Sequence, residues 1–437
     1  MVKKFGNNII KYGTNVFMGG QNLVLQFQGA TFPVAVDNND TARFQLYFSA
    51  PATIAIDYGN GVVNNYSTTF ISTGVYTFKI INIGSTSAYT PQSYETPSYS
   101  YPDNLSTANR VVTISFNRGL LFSISIALMR LANQDLIFGL SRYPNLKTFD
   151  VHQVGNGGYQ TGAISNINWE NALASKITTV YINNCFNSNS IFYGTIPSFF
   201  FSMPIQQLSV GDQGMASKTF AQSNLAGIYQ LASTLTYLTI QGVGLTDNNY
   251  GDGALPANFN TLTKLTSLSI VGTVHTIIPA VINTIVSLTT LTFAFNGAAT
   301  DYGDISGLVN LTNLTVEANP NFTTSIPSYF SSFTKLKTLD FRSCYRTQIR
   351  IDTAISNIYA FIVANAAKTG TSANPFRSMT MMIGIFATGD GTAVPSGTYQ
   401  QPAGYVQGSS NGSPATSLEM VWVMVNQYSH TWTYRVS

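Results

Sequence analysis

Charge is what this 437-residue chain has least of. Only 9% of its residues are Asp, Glu, Lys or Arg, against roughly 25% in ordinary soluble proteins. The formal net charge is +3 and no basic run gathers, so nucleic-acid binding driven by phosphate neutralisation has little to work with. Two cysteines exclude a disulfide framework, and the three histidines, His152, His275 and His430, lie far apart in sequence. No metal-ligand spacing such as H-x-x-x-H occurs. The best apolar run, Gly119–Leu128 (GLLFSISIAL), falls short of the eighteen or so residues that span a bilayer. The chain also lacks a P-loop, a G-x-S-x-G nucleophile elbow and a G-x-G-x-x-G in a strand–helix context.

In place of charge stand Ser, Thr, Asn, Gln, Tyr and Gly. With 44% hydrophobic and 13% aromatic residues, the chain has material for a sizeable core under an uncharged polar surface. That palette suits extracellular or particle-surface β-proteins. The first twenty residues, MVKKFGNNIIKYGTNVFMGG, open on Lys3 and Lys4 but carry no apolar h-region and so do not read as a secretory signal. Two expectations follow: either the sequence has been trimmed of its leader, or the protein reaches the outside by assembly into a particle released on lysis.

The strongest pattern is a repeat. The frame L-x-x-L-x-L recurs eight times: Leu146/Phe149/Val151, Ile177/Val180/Ile182, Ile205/Leu208/Val210, Leu235/Leu238/Ile240, Leu265/Leu268/Ile270, Leu288/Leu291/Phe293, Leu311/Leu314/Val316 and Leu336/Leu339/Phe341. Successive starts lie 31, 28, 30, 30, 23, 23 and 25 residues apart. Each copy reads as a short strand plus a return path that cannot bury its apolar edge alone, so stacked copies must share one core. The slot three residues past each frame holds Val154, Cys185, Gln213, Val243, Thr273, Asn296, Asn319 and Cys344. A second element, [IL]-P followed by apolar spacing, recurs in GTIPSFFFSM (Gly194–Met203), GALPANFNTLTKL (Gly253–Leu265), IIPAVINTIVSL (Ile277–Leu288) and SIPSYFSSFTKL (Ser325–Leu336). Proline there starts a return helix, where its missing N–H does no harm.

Frame, slot and proline segment together resemble the leucine-rich repeat. The resemblance implies that both cysteines are buried, reduced and structural, since Asn or Cys in that slot turns the backbone and satisfies buried amides. It leaves function open, because this fold is a general recognition scaffold.

Before the repeats, alternating strands surround the turn DYGNG (Asp57–Gly61) and are followed by TGVYTFKI (Thr73–Ile80). This resembles a PKD-type β-sandwich, with Asn60 in place of the usual Asp; any small sandwich with a tight hairpin is the alternative. The stretch Tyr89–Asp103 is Pro/Ser/Tyr-rich and reads as a surface loop. After the repeats, Ile351, Ile355, Ile358 and Ile362 stand at helical spacing and predict a helix over Ile351–Lys368 that caps the core. In the tail, MTMMIGIF and EMVWVMVNQY read as strands around a Gly/Ser/Pro-rich middle, PSGTYQQPAGYVQG. This tail and the lead FGNNIIKYGTNVF resemble, in layout, terminal segments of structural proteins of crAss-like and related Bacteroidetes bacteriophages.

The expected class is mainly β with an α/β solenoid. An N-terminal attachment segment covers 1–36, a PKD/Ig-like β-sandwich 37–117, the solenoid with its capping helix 118–368, and a C-terminal β-rich domain 369–437. Because strand side chains alternate, one face of the solenoid strands points outward. The candidate ligand-binding residues are Tyr181, Asn183, Tyr237, Thr239, Gln241, Thr292, Glu317, Asp340 and Arg342; a solvated sheet face rich in β-forming threonine is the plainer alternative. Asp247, Asp252, Asp301 and Asp304 lie in the loops TDNNYGDG and TDYGD. They read as turn formers ahead of Ca²⁺ ligands, because the alternating ligand pattern and terminal Glu are missing. No catalytic residue, metal or cofactor is expected.

The phage resemblance implies a virion-surface appendage, a head or tail fibre or decoration protein. It would contact other virion proteins through its N-terminus and a host-surface glycan or protein through its solenoid, as a homo-oligomer such as a trimer. A purely structural virion component and a secreted bacterial adhesin are the alternatives.

Overall fold

A computed structural model describes residues 2–5, 8–11, 22–27, 43–57, 63–80, 110–127, 143–152, 176–183, 198–211, 225, 227–241, 255–273, 275–297, 299–322, 325–344, 347–366, 380–383 and 393–434. The chain forms two compact units, Met1–Leu235 and Thr236–Ser437.

The first unit contains strands β1 (Val2–Phe5), β2 (Asn8–Lys11), β3 (Asn22–Phe27), β4 (Arg43–Phe48), β5 (Thr53–Asp57), β6 (Val63–Ser67), β7 (Thr69–Ser72), β8 (Val75–Ile80), β9 (Arg110–Ser115), β10 (Leu121–Ala127), β11 (Thr148–His152), β12 (Thr179–Asn183) and β13 (Gln207–Gly211). β1 and β2 form an antiparallel pair. β3, β9, β5 and β6 form one antiparallel sheet, and β10, β4, β8 and β7 pair antiparallel in another. Every second residue turns inward: Leu46, Phe48, Ile54, Phe78, Ile114 and Ile124 are all fully buried. Aromatic pairs cross between the sheets, Phe48 edge-on to Phe116 at 5.5 Å and Tyr66 stacked on Phe78 at 5.8 Å. A sandwich therefore exists, with two departures from the sequence expectation. It begins earlier than residue 37, because β3 supplies one of its edges. It is also not separated from the repeats at 117, because β10 pairs antiparallel with β4 on one side and parallel with β11 on the other. Backbone hydrogen bonds thus run from the sandwich sheet straight into the ladder β10–β11–β12–β13.

The second unit contains β14 (Tyr237–Gln241), β15 (Ser267–Val271), β16 (Thr290–Ala294), β17 (Asn313–Thr315), β18 (Thr338–Asp340), α1 (Gln348–Ala366), β19 (Thr380–Ile383), α2 (Ser417–Tyr428) and β20 (Thr431–Tyr434). The strands pair in parallel and in chain order from β14 to β20. Register aligns the frames: Leu238, Leu268, Leu291, Leu314 and Leu339 oppose one another and are at most 3% exposed. Burying each such side chain contributes about 1.5–3 kcal/mol.

The return segments are 3₁₀ helices at Ala257–Thr261, Ala280–Thr284 and Ser328–Ser332. Pro256, Pro279 and Pro327 sit at the N-cap, one residue before the helix. Their carbonyls accept the first helical bonds, from Phe259, Ile282 and Phe330 at 2.8, 3.0 and 3.0 Å. The same three residues turn into the core and are fully buried. From the TDYGD loop, Tyr302 inserts among Phe322, Phe330 and Phe341 with ring centroids 4.6, 4.9 and 6.2 Å away.

The tail corrects the sequence expectation. EMVWVMVNQY is not a strand but most of α2, which buries Ser417, Val421, Met424 and Tyr428 at spacings of four, three and four. Its start is a capping box. Thr416 Oγ1 accepts from the Glu419 amide at 3.4 Å, and Glu419 Oε2 accepts from the Thr416 amide at 3.2 Å. The helix near 351–368 is present as α1, but it is not the terminal cap, since β19, α2 and β20 follow and continue the parallel ladder beyond it.

Candidate functional site

Two kinds of polar surface arise from the repeat, and only one is available to a ligand. The first is the corner that ends each strand of the second unit. Gly272, Phe295, Ala318 and Ser343 all adopt positive φ, between 55° and 64°, one residue before the slots held by Thr273, Asn296, Asn319 and Cys344. This left-handed step turns the chain off the sheet. Three of the four residues bear side chains, where the conformation costs about 1–2 kcal/mol, so the corner must be held from elsewhere.

Side chains in the slot hold it. Thr273 donates to Asn296 Oδ1 through both its amide and its hydroxyl, each at 2.7 Å. The Asn296 amide donates to Asn319 Oδ1 at 2.8 Å. Asn319 Nδ2 reaches the carbonyls of Phe293 and Val316 at 2.6 and 2.7 Å, and Cys344 Sγ donates to the Val316 carbonyl at 2.8 Å. Asn296, Asn319 and Cys344 are fully buried. Burial pushes the Cys344 thiol up to about 12, so it stays protonated and serves as a hydrogen-bond donor. The buried structural role expected for Cys344 is what the structure shows; Val154, Cys185, Gln213 and Val243 lie outside the described residues.

The second polar surface is the outward strand face. In the second unit, register sets Tyr237, Ser267, Thr290, Asn313 and Thr338 in one row and Thr239, Ser269, Thr292, Thr315 and Asp340 in the next. Most of these side chains are half-buried, and Tyr237 is exposed. With strands about 4.8 Å apart, β14 to β18 span roughly 19 Å. Thr239 Oγ1 donates to Tyr237 Oη at 3.2 Å, which ties the ring at one end of the face; Gln241 is half-buried at the end of β14.

At the opposite end stands the charged cluster of this face. Asp340, predicted to point outward to a ligand, is 1% exposed because Arg342 covers it. Arg342 Nε donates to both Asp340 oxygens at 2.8 Å, and its Nη2 lies 3.5 Å from Glu317 Oε2. Glu317 is pushed above the ordinary carboxylate range by its own desolvation; Arg342 pulls the other way and Asp340 adds to the rise. Glu317 and Arg342 are therefore the reachable members, while Asp340 positions the guanidinium.

In the first unit the corresponding row runs Ser125, Asp150, Tyr181, Ser209. Ser125 Oγ donates to Asp150 Oδ2 at 2.9 Å, and Tyr181 Oη donates to Gln207 Oε1 at 3.3 Å. Burial, then the charge of Asp150, pushes the Tyr47 hydroxyl up. Asn183 lies in β12 opposite Gly211; its side chain is outside the described residues.

Two of the acidic loop residues serve local turns. Asp301 Oδ1 accepts from the Tyr302 amide at 2.6 Å, and Asp304 Oδ1 accepts from the Ser306 amide at 3.0 Å, so both act as turn formers; Asp247 and Asp252 lie outside the described residues. The Ser306 hydrogen bonds hold the Asp304 carboxyl below its ordinary range. His275 Nδ1 lies 2.7 Å from Thr273 Oγ1, at the start of the corner ladder, and His430 is buried beside α2. Among the described residues no three His, Cys, Asp or Glu side chains converge as metal ligands, and no helix is long and apolar enough to cross a membrane.

No protein-family model matches the chain, and no curated protein does. Solved structures match at low identity. The internalin InlF of Listeria monocytogenes aligns over 61% of this chain and 87% of its own length, at 15% identity and a TM-score of 0.31. A leucine-rich-repeat protein of Leptospira interrogans aligns over 50% of this chain and 62% of its own, at 14% identity and a TM-score of 0.28. The functional domain of InlJ of Listeria monocytogenes, which includes a cysteine ladder, aligns over 57% and 53%, at 16% identity and a TM-score of 0.28. On its own frame, strand register and corner ladder, the chain folds as a mainly-β leucine-rich-repeat solenoid.

Proposed function

We propose that the protein is a non-enzymatic binding protein of a bacteriophage surface, a head or tail fibre or decoration protein, that engages a host-surface protein or glycan through the strand face of its solenoid. The observation that carries the binding assignment is the pair of in-register rows across β14–β18, made of hydroxyl and amide side chains apart from the buried Asp340 at the end of one row. Tyr237 stands at one end of the face and Glu317 and Arg342 at the other. Such a face offers many weak, directional contacts over a span that fits a macromolecule, and little to drive aggregation.

The virion assignment is supported by the uncharged surface palette and by the layout of the two terminal segments. In this reading, the segment ahead of β3 attaches the protein to the particle, the sandwich is a spacer, and the assembly is a homo-oligomer such as a trimer. Two measurements test it. Mass spectrometry of purified particles must find the chain; its absence there refutes the virion assignment. Full-length protein must bind host cells, and Tyr237→Ala and Ser269→Arg must each weaken that binding at least tenfold without lowering the melting temperature. Unchanged binding in both variants would leave the strand face a scaffold that joins neighbouring virion proteins.

A further inference from the structure

We infer that the segment 393–416 is a second binding surface, separate from the strand face, shaped for a neutral carbohydrate. Its sequence, AVPSGTYQQPAGYVQGSSNGSPAT, has no charged side chain in 24 residues and contains neither strand nor helix. Segments longer than about 12–15 residues without strand or helix are uncommon inside a compact unit, and are usually either functional or disordered linkers.

This one is held in a defined conformation. The Ser396 amide donates to Asp352 Oδ1 of α1 at 2.9 Å, and Gln348 Nε2 donates to the Val394 carbonyl at 2.7 Å. The Ser396 carbonyl accepts from the Leu418 amide at 3.0 Å, and the Val406 amide donates to the Asn411 carbonyl at 3.2 Å. Gly397, Gly404, Gly408 and Gly412 all take positive φ, from 63° to 90°. A Cβ at Gly412 would run into the backbone of Gly404 and Tyr405, and one at Gly397 into the side chain of Thr416. Glycine is therefore required for the fold-back. Tyr405 is half-buried, and its burial, with Tyr359 and Tyr428 alongside, pushes its hydroxyl up to about 12.

The segment also carries an exposed aromatic ring and several exposed amides. Tyr399 is 42% exposed, and its hydroxyl accepts from Asn426 Nδ2 at 3.2 Å, which pins the ring without covering it. Gln400, Gln401, Gln407 and Asn411 of the same segment are exposed as well, and Gln407 Nε2 donates to the Gln427 carbonyl at 3.5 Å. A pyranose has an apolar C–H face and a rim of hydroxyls; a pinned tyrosine ring suits the first, and planar amides, each both donor and acceptor, suit the second. With no cation in the segment, phosphate, sulfate and sialic acid have nothing to pair with. With Tyr399 and Val406 as its large exposed apolar side chains, the surface lacks the apolar core of a protein interface. Its order before binding removes much of the entropic penalty that loops otherwise carry.

The test is full-length protein on an array carrying neutral hexose and N-acetylhexosamine glycans beside sialylated and sulfated ones. Binding to one or more neutral glycans is expected. Tyr399→Ala should weaken it at least tenfold and Gln401→Ala several-fold, while Tyr399→Phe, which keeps the ring, should retain most of it; all three should melt like the wild type. No binding to neutral glycans, binding to acidic glycans alone, or Tyr399→Ala binding as tightly as wild type would each overturn the inference. Loss in Tyr237→Ala with retention in Tyr399→Ala would also overturn it, while leaving the strand-face reading standing.

Discussion

The corner and the outward face of the second unit are built from the same residue types, and they do opposite things with them. At the corner, Asn296 and Asn319 are fully buried and their side chains bond backbone groups of neighbouring repeats. On the face, Thr292, Thr315 and Asn313 stand half-buried in open rows. What separates them is access to water. A buried amide that loses its partner costs its full desolvation penalty, whereas an exposed one exchanges a protein partner for water at little net change. The corner is thus where buried polar side chains hold the solenoid together, and the face is where they keep access to water.

Five substitutions test this contrast. The largest effect belongs to the apolar edge that both surfaces share: Leu238→Asp places an unpaired charge in a fully buried site and should abolish the cooperative melt. Next comes Asn319→Ala, which strands buried amide and carbonyl groups and should cost about 3–5 kcal/mol in denaturant titration. Thr292→Ala on the face should stay within about 0.5 kcal/mol of wild type; equal losses at the two sites would erase the distinction. Cys344→Ala should cost about 1–3 kcal/mol, and in the native wild type this thiol should resist a thiol reagent until the chain is unfolded.

The smallest effect concerns Glu317, whose carboxyl is raised by desolvation. A carboxyl with a raised folded-state pKa adds stability that is fully present below its unfolded value and is lost as pH rises through the folded value. The stability of Glu317→Gln relative to wild type should therefore increase from acid to neutral pH. A difference that stays flat, or that falls with pH, would mean that Arg342 rather than desolvation dominates at this end of the face.

Much of this was legible in the residues. The frame predicted each inward side chain from Leu265 to Phe341, and the slot predicted Cys344 as buried, because a recurring frame gives each of its positions one environment. The tail was misread because Val421, Trp422, Val423 and Val425 favour strands by local preference. The overlooked signal was Thr416-Ser417-Leu418-Glu419, a capping box at the head of a helical stripe. The positive φ of Phe295, Ala318 and Ser343 had no local sign, since none of the three is a residue that prefers the left-handed region. Asp340 was expected to be reachable on alternation alone, and alternation cannot register that Arg342, two residues on, folds back over it.

The sequence by itself determined the repeat, its inward and outward faces and the near-absence of charge, because these follow from period and composition whatever the neighbours do. Long-range packing was needed to reveal that the sandwich and the first ladder share β10, that the tail extends the second ladder through α2 and β20, and that the glycine-rich loop folds back on itself. Those outcomes rest on backbone hydrogen bonds and close approaches between residues far apart in the chain, which become favourable only once the intervening segments have packed.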